Sequence, residues 1–139
     1  MLNMPTRILV AVVLLAFVSC GEKSGSKIPL SFSGASALTD PSAVDAVFVV
    51  NGLNLDLDGN GSPDIFVFPS SCGAALPAQC GFPLTSAARF NIGNLPLNFN
   101  YEIEARFRNA AGANLYVGKS QFTNDSKLSS IPISLTQSP

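Results

Sequence analysis

The densest chemistry in the chain lies at residues 56–64, Asp-Leu-Asp-Gly-Asn-Gly-Ser-Pro-Asp. Calcium takes about six to eight hard oxygens from a loop that curls around it. With Asp56 as position 1, side-chain oxygens fall at Asp58 (position 3), Asn60 (5) and Asp64 (9). Gly61 stands at position 6, where a sharp turn is needed, and the Ser62 carbonyl falls at position 7. Cation ligation is the chemistry this spacing can do. Val67 occupies position 12, where an EF-hand carries its bidentate Glu, so the loop is not an EF-hand. A lone site without that ligand belongs to the weak class of extracellular modules, with Kd about 10⁻⁴–10⁻³ M. The competing reading is a polar hairpin loop, since Asp, Asn, Gly and Pro form turns without a metal. Against it stands the cost of crowding three carboxylates with no cation beside them.

Other chemistries are poorly supplied. The chain has no histidine, which removes His-based triads, His metal sites and the commonest general base. Carboxylate-only catalysis would need a second acidic pair. Glu102 and Glu104 are the candidates, but they alternate with apolar residues on a strand whose charged face should be solvated. No nucleophile has a base beside it, so the chain reads as a non-enzyme. A formal net charge of −1 with no basic cluster argues against nucleic acid as a partner.

The first residues follow their own rules. A short segment with one positive charge, Arg7, precedes an unbroken apolar run at 8–18. A membrane span needs about 20 apolar residues, so the run suits a signal peptide. It ends in Phe17-Val18-Ser19-Cys20-Gly21, which resembles the lipobox of bacterial lipoproteins. The resemblance implies that Cys20 becomes the first mature residue and carries a diacylglyceryl group, with acyl chains such as palmitate. Two or three chains, at about 0.8 kcal/mol per buried CH₂, anchor stably where one is marginal. Gly21 stands where an inner-membrane retention signal has Asp, which implies the outer membrane or cell surface. Ordinary signal cleavage, leaving Cys20 free, is the alternative. Residues 21–27 form a Gly/Ser-rich polar tether. The remaining cysteines, Cys72 and Cys80, form an even pair that an oxidising compartment joins as a disulfide. Closing so short a loop stabilises by roughly 2.5 kcal/mol in the chain-entropy picture.

The elements that must position the acidic loop are strands. Ile28 to Ser33 alternates, with Pro29 marking an edge. Residues 39–42 carry turn chemistry, and Ala46 to Val50 is a buried β-branched run that Leu53, Leu55 and Leu57 continue. Ile65 to Phe68 follows the loop and stops at Pro69. Residues 70–84 read as a stapled loop, and 88–92 as a further strand. In 101–108 Tyr, Ile, Ala and Phe alternate with Glu102, Glu104, Arg106 and Arg108, giving one apolar and one charged, solvated face. A hairpin turn with Gly112 leads to Leu115, Tyr116 and Val117, and Ile131, Ile133 and Leu135 close the pattern, with Pro132 again marking an edge.

About seven strands with turn signals at short intervals, and no long amphipathic helix, predict an all-β fold, a small antiparallel β-sandwich of immunoglobulin-like or prealbumin-like kind. The chain divides into a signal peptide (1–19), a lipidated cysteine and tether (20–27) and the sandwich (28–139). Asn94-Leu95-Pro96, Tyr101-Glu-Ile-Glu-Ala and the Gly112 hairpin resemble prealbumin-like sandwiches over roughly a third of the chain. The likeness implies a fold and no activity. Residues 56–64 resemble the D-x-D-G-N-G-x-x-D calcium loops of integrin-type and related bacterial repeat proteins, although here the loop stands alone.

The expected function is that of a membrane-anchored envelope lipoprotein, a structural or interaction module stabilised by Ca²⁺, with its lipid in the membrane and an envelope or surface protein as partner. The alternative is a periplasmic-type carrier holding an apolar ligand or lipid between its sheets, which the ten phenylalanines would also allow. Those rings equally make an ordinary core.

Overall fold

A computed structural model describes residues 27–34, 37–85 and 89–139. Cys20, the signal segment and most of the tether lie outside the described residues. Eight strands follow in order: β1 (Lys27–Gly34), β2 (Asp45–Gly52), β3 (Ile65–Phe68), β4 (Phe82–Pro83), β5 (Asn91–Gly93), β6 (Asn100–Arg108), β7 (Asn114–Thr123) and β8 (Ile131–Gln137). No α-helix occurs among the described residues, and the fold is all-β as the alternating patterns require. The strand path runs β3-β2-β6-β7-β8-β1-β5, with β4 beside β2.

This path folds over on itself between β7 and β8, which share only the pairs Tyr116↔Gln137 and Val117↔Thr136. One layer is β3-β2-β6-β7 and the other β8-β1-β5, so the sheet is nearly barrel-shaped. Ala46, Phe48 and Val50 of β2 and Tyr101, Ile103, Ala105 and Phe107 of β6 are fully buried on the inner face of the first layer. Ile92, Ile131 and Ile133 face them from the second. Phe48 sits at the centre, with ring centroids at 6.0 Å to Phe32, 5.9 Å to Phe82, 5.4 Å to Phe90 and 6.4 Å to Phe107. The phenylalanines therefore fill the space between the layers and make a core of ordinary aromatic packing.

Gly118 makes the corner. It lies opposite Ala105 on the inner face of β7. A Cβ there would meet the Ser134 carbonyl oxygen and, at 2.8 Å, the Ile133 Cγ2. Both neighbours belong to β8, and the Ser134 oxygen is backbone, which cannot swing aside as a flexible side chain can. Gly118→Ala is expected to cost about 1–3 kcal/mol by overpacking, read as a lower urea midpoint with an unchanged m-value. An unchanged midpoint would show that β8 can move away.

Several expectations are corrected by the topology. β1 is not an edge strand. It pairs antiparallel with β5 over residues 27–29 and parallel with β8 over 30–34. Pro29 sits where the ladder changes partner, so its missing N–H interrupts nothing. Among the described residues, the β1–β8 pair is also the one parallel pairing in an otherwise antiparallel arrangement. β2 ends at Gly52 and does not continue through Leu53 to Leu57. Leu53 N–H donates to the Asn100 carbonyl, and Leu55 turns back into the core, 3 % exposed, while Leu57 is 66 % exposed. A Cβ on Gly52 would lie 2.8 Å from the Leu55 Cβ, so the turn-back requires glycine. The stapled loop contains one short strand after all, β4, where Phe82 and Pro83 pair with Ala46 and Asp45.

The Tyr101 hydroxyl donates to the Pro96 carbonyl at 2.6 Å, an arrangement that recurs in β-sandwiches as a tyrosine corner. Burial pushes its phenol pKa upward. The Asn124 side-chain amide donates to the carbonyls of Leu95 (3.0 Å) and Pro96 (3.3 Å), so 95–96 is held from two sides.

Candidate metal centre and its surroundings

The acidic loop is the β2–β3 connection, closed at its base by backbone bonds. Gly52 N–H donates to the Asp64 carbonyl and Asp64 N–H to the Leu55 carbonyl, both at 2.8 Å. Within that frame the chain curls on its own side chains. Asp56 accepts from Gly61 N–H (2.8 Å) and Asn60 N–H (3.2 Å), and Asp64 accepts from Leu57 N–H (2.7 Å). Gly59 and Gly61 take φ of 70° and 83°, a region that glycine enters without strain.

The result is convergence. Asp56, Asp58 and Asp64 each bring a carboxylate oxygen within 4.8 Å of the others. Calcium–oxygen bonds of about 2.3–2.6 Å allow two ligands on one ion to stand up to about 5 Å apart, so the three carboxylates fit a shared cation. Asn60 and Ser62 brace the turn: the Asn60 amide donates to Asp58 at 3.0 Å, and its oxygen accepts from Ser62 N–H at 2.8 Å. The three aspartates would therefore balance the charge of a bound calcium ion, while Asn60 and Ser62 hold the turn that presents them.

The electrostatics show what the crowding does to these groups. A hydrogen bond between Asp56 and Asp58 lowers the pKa of Asp56 and raises that of Asp58, and the negative charge of Asp64 adds to the rise. The sequence places no lysine or arginine between Lys27 and Arg89, so no neighbour in the chain neutralises the cluster.

A second polar cluster was hidden from the sequence. Arg108, expected on a solvated face, is buried: its side chain is 3 % exposed and that of Asp45 is 4 % exposed. Arg108 Nε donates to Asp45 Oδ1 at 3.0 Å and Nη2 to Oδ2 at 2.7 Å, a bidentate pair. The same guanidinium donates to the carbonyls of Leu76 (2.9 Å) and Pro77 (3.0 Å), and Gly81 N–H donates to Asp45 at 2.9 Å. The cause is the disulfide loop. Cys72 and Cys80 are bonded, with Cα atoms 5.3 Å apart, and their loop folds over the outer face of β2 and β6 at this end. Arg108 is thus the post on which the staple hangs. The remaining charges match expectation: Arg106 pairs with Glu104, and Lys119 approaches Glu104 at 3.6 Å, all partly exposed and worth little.

Asp40 accepts from the Tyr116 hydroxyl at 2.6 Å, which lowers the Asp40 pKa and raises that of Tyr116. No protein-family model matches the chain, and neither a curated protein nor a solved structure matches it.

Proposed function

We propose that this chain is a membrane-anchored bacterial envelope lipoprotein. Its β-sandwich acts as a non-enzymatic structural or interaction module, held in shape by one weak calcium ion. The observation that carries the reading is the convergence of Asp56, Asp58 and Asp64 in a loop closed at its base. Calcium abounds outside the cytoplasm, and the Cys72–Cys80 bond suits the same oxidising surroundings. Cys20, with its signal segment, supplies the anchor to the outer membrane or cell surface. The loops at the sandwich ends serve an envelope or surface protein as partner. The role of the ion is to neutralise the loop and fix how β2 joins β3.

Saturation is expected to raise stability by about 1.4–2.7 kcal/mol at 10 mM Ca²⁺ for Kd about 10⁻³–10⁻⁴ M, seen as a melting temperature several degrees higher. The Asp56→Ala/Asp58→Ala variant should lose the shift. An equal shift in that variant, or none in the parent, would sink the calcium assignment. The anchor is tested separately, by incorporation of labelled palmitate in cells. Label that persists in Cys20→Ser would exclude Cys20 as the lipidated residue.

A further inference from the structure

The near-barrel is open on one side. β3 and β5 stand at the two ends of the strand path, and each pairs on one edge only among the described residues. Between them lies a cleft of about 640 Å³, within the size range of small-ligand sites. Its wall is aromatic, with Phe66 and Phe68 of β3, Phe82 of β4 and Phe90 beside β5. Phe90 is 5 % exposed, whereas Phe66, Phe68 and Phe82 are half-buried, so the cleft presents ring surface to solvent while the core behind it is filled.

Its rim is cationic. Six lysines and arginines lie among the described residues. Arg106 and Lys119 pair with Glu104, and Arg108 pairs with Asp45. Lys27, Arg89 and Lys127 have no ion-pair partner among the described residues, and Lys27 and Arg89 both line this cleft. A second cavity of about 320 Å³, walled by Leu30, Phe32 and Leu38, shares Arg89, Phe90 and Asn91 with the first. Arg89 therefore lines both cavities. Lys27 lies at the far end of the β1–β5 ladder, opposite Gly93. Among the described residues, no carboxylate lines either cavity.

We infer that this lateral cleft binds an amphipathic anion, a single carboxylate or phosphate on an apolar chain, with the anionic group on Arg89. The chain lies along Phe66, Phe68 and Phe82 towards Lys27. A planar guanidinium recognises either head group through paired hydrogen bonds. The aromatic wall supplies the non-directional remainder. The site lies at the open edge of the sandwich and shares no lining residue with the acidic loop, which ends where β3 begins.

The test uses the full chain in phosphatidylcholine nanodiscs and decanoate carrying a terminal diazirine, with peptide mass spectrometry after illumination. Label is expected on peptides holding residues 66–70 and 89–94 and on Phe82. It should fall at least fivefold in Arg89→Gln/Lys27→Gln, whose exposed positions leave the melting temperature unchanged, and recover only in part in Arg89→Lys/Lys27→Arg, which keeps both charges but loses the guanidinium fork at 89. The matching diazirine decylamine should not label these peptides. Competition by unlabelled decanoate alone identifies a carboxylate ligand, and by decyl phosphate alone a phosphate. Label spread over the surface, equal label from the amine, or no effect of charge removal would overturn the proposal. So would displacement by an extended apolar peptide alone, which would assign the open edges to strand addition.

Discussion

Replacing Arg108 by Met is expected to lower stability by about 3–5 kcal/mol, the usual cost of breaking a buried ion pair from one side. Against a total of about 5–15 kcal/mol for a domain of this kind, that approaches loss of the fold. Three groups are stranded at once. The Asp45 carboxylate keeps only the Gly81 N–H, and the Leu76 and Pro77 carbonyls lose their donor. Substituting Asp45→Val together with Arg108→Met removes the uncompensated charge and should recover part of the loss. The recovery should stay incomplete, because the loop carbonyls and Gly81 N–H remain unsatisfied. Denaturant midpoints of the two single variants and the double variant measure this coupling. An Arg108→Met variant within about 1 kcal/mol of the parent would mean that water replaces the guanidinium and that the pair is not the post of the disulfide loop.

Phe48→Ala should cost about 3–5 kcal/mol through lost transfer free energy and the cavity left behind. Phe48 has no exposure and touches rings from both layers, so no single neighbour can collapse into the space. Phe82 and Phe90, which it supports, also wall the lateral cleft. The cleft should therefore widen towards the core, and a hydrophobic dye such as ANS should bind more strongly. Phe48→Leu restores most of the volume and should recover more than half of the stability. A loss below about 1.5 kcal/mol for Phe48→Ala would show that the aromatic cluster repacks freely.

These two sites differ in how far they could be read in advance. Phe48 lies in an unbroken apolar run, where burial follows from residue type alone. Arg108 ends a regular alternation of charged residues, and local pattern puts it on the wet face. Its partner Asp45 lies 63 residues earlier, and the loop that buries both lies between them in the chain. Nothing in the local sequence of either residue announces the other. The same limit explains Pro29, a sound edge signal that fails because two different strands meet β1 on either side of it.

The acidic loop was legible in more detail. Spacing brought Asp56, Asp58 and Asp64 together in prospect, because turn chemistry and oxygen ligation use the same short-range contacts. The roles of Asn60 and Ser62 in bracing the turn depend on which backbone N–H groups point inward, and this only the folded loop shows.

By itself the sequence determined what depends on near neighbours: the strands, the acidic turn, the cysteine pair and the absence of histidine chemistry. Tertiary structure alone decided the closure of the layers at Gly118, the burial of Arg108 with Asp45, and the cleft that joins Arg89 and Lys27 to four phenylalanines. The physical reason is the period of a strand. Alternation says which side chains share a face, but strand order decides what that face meets.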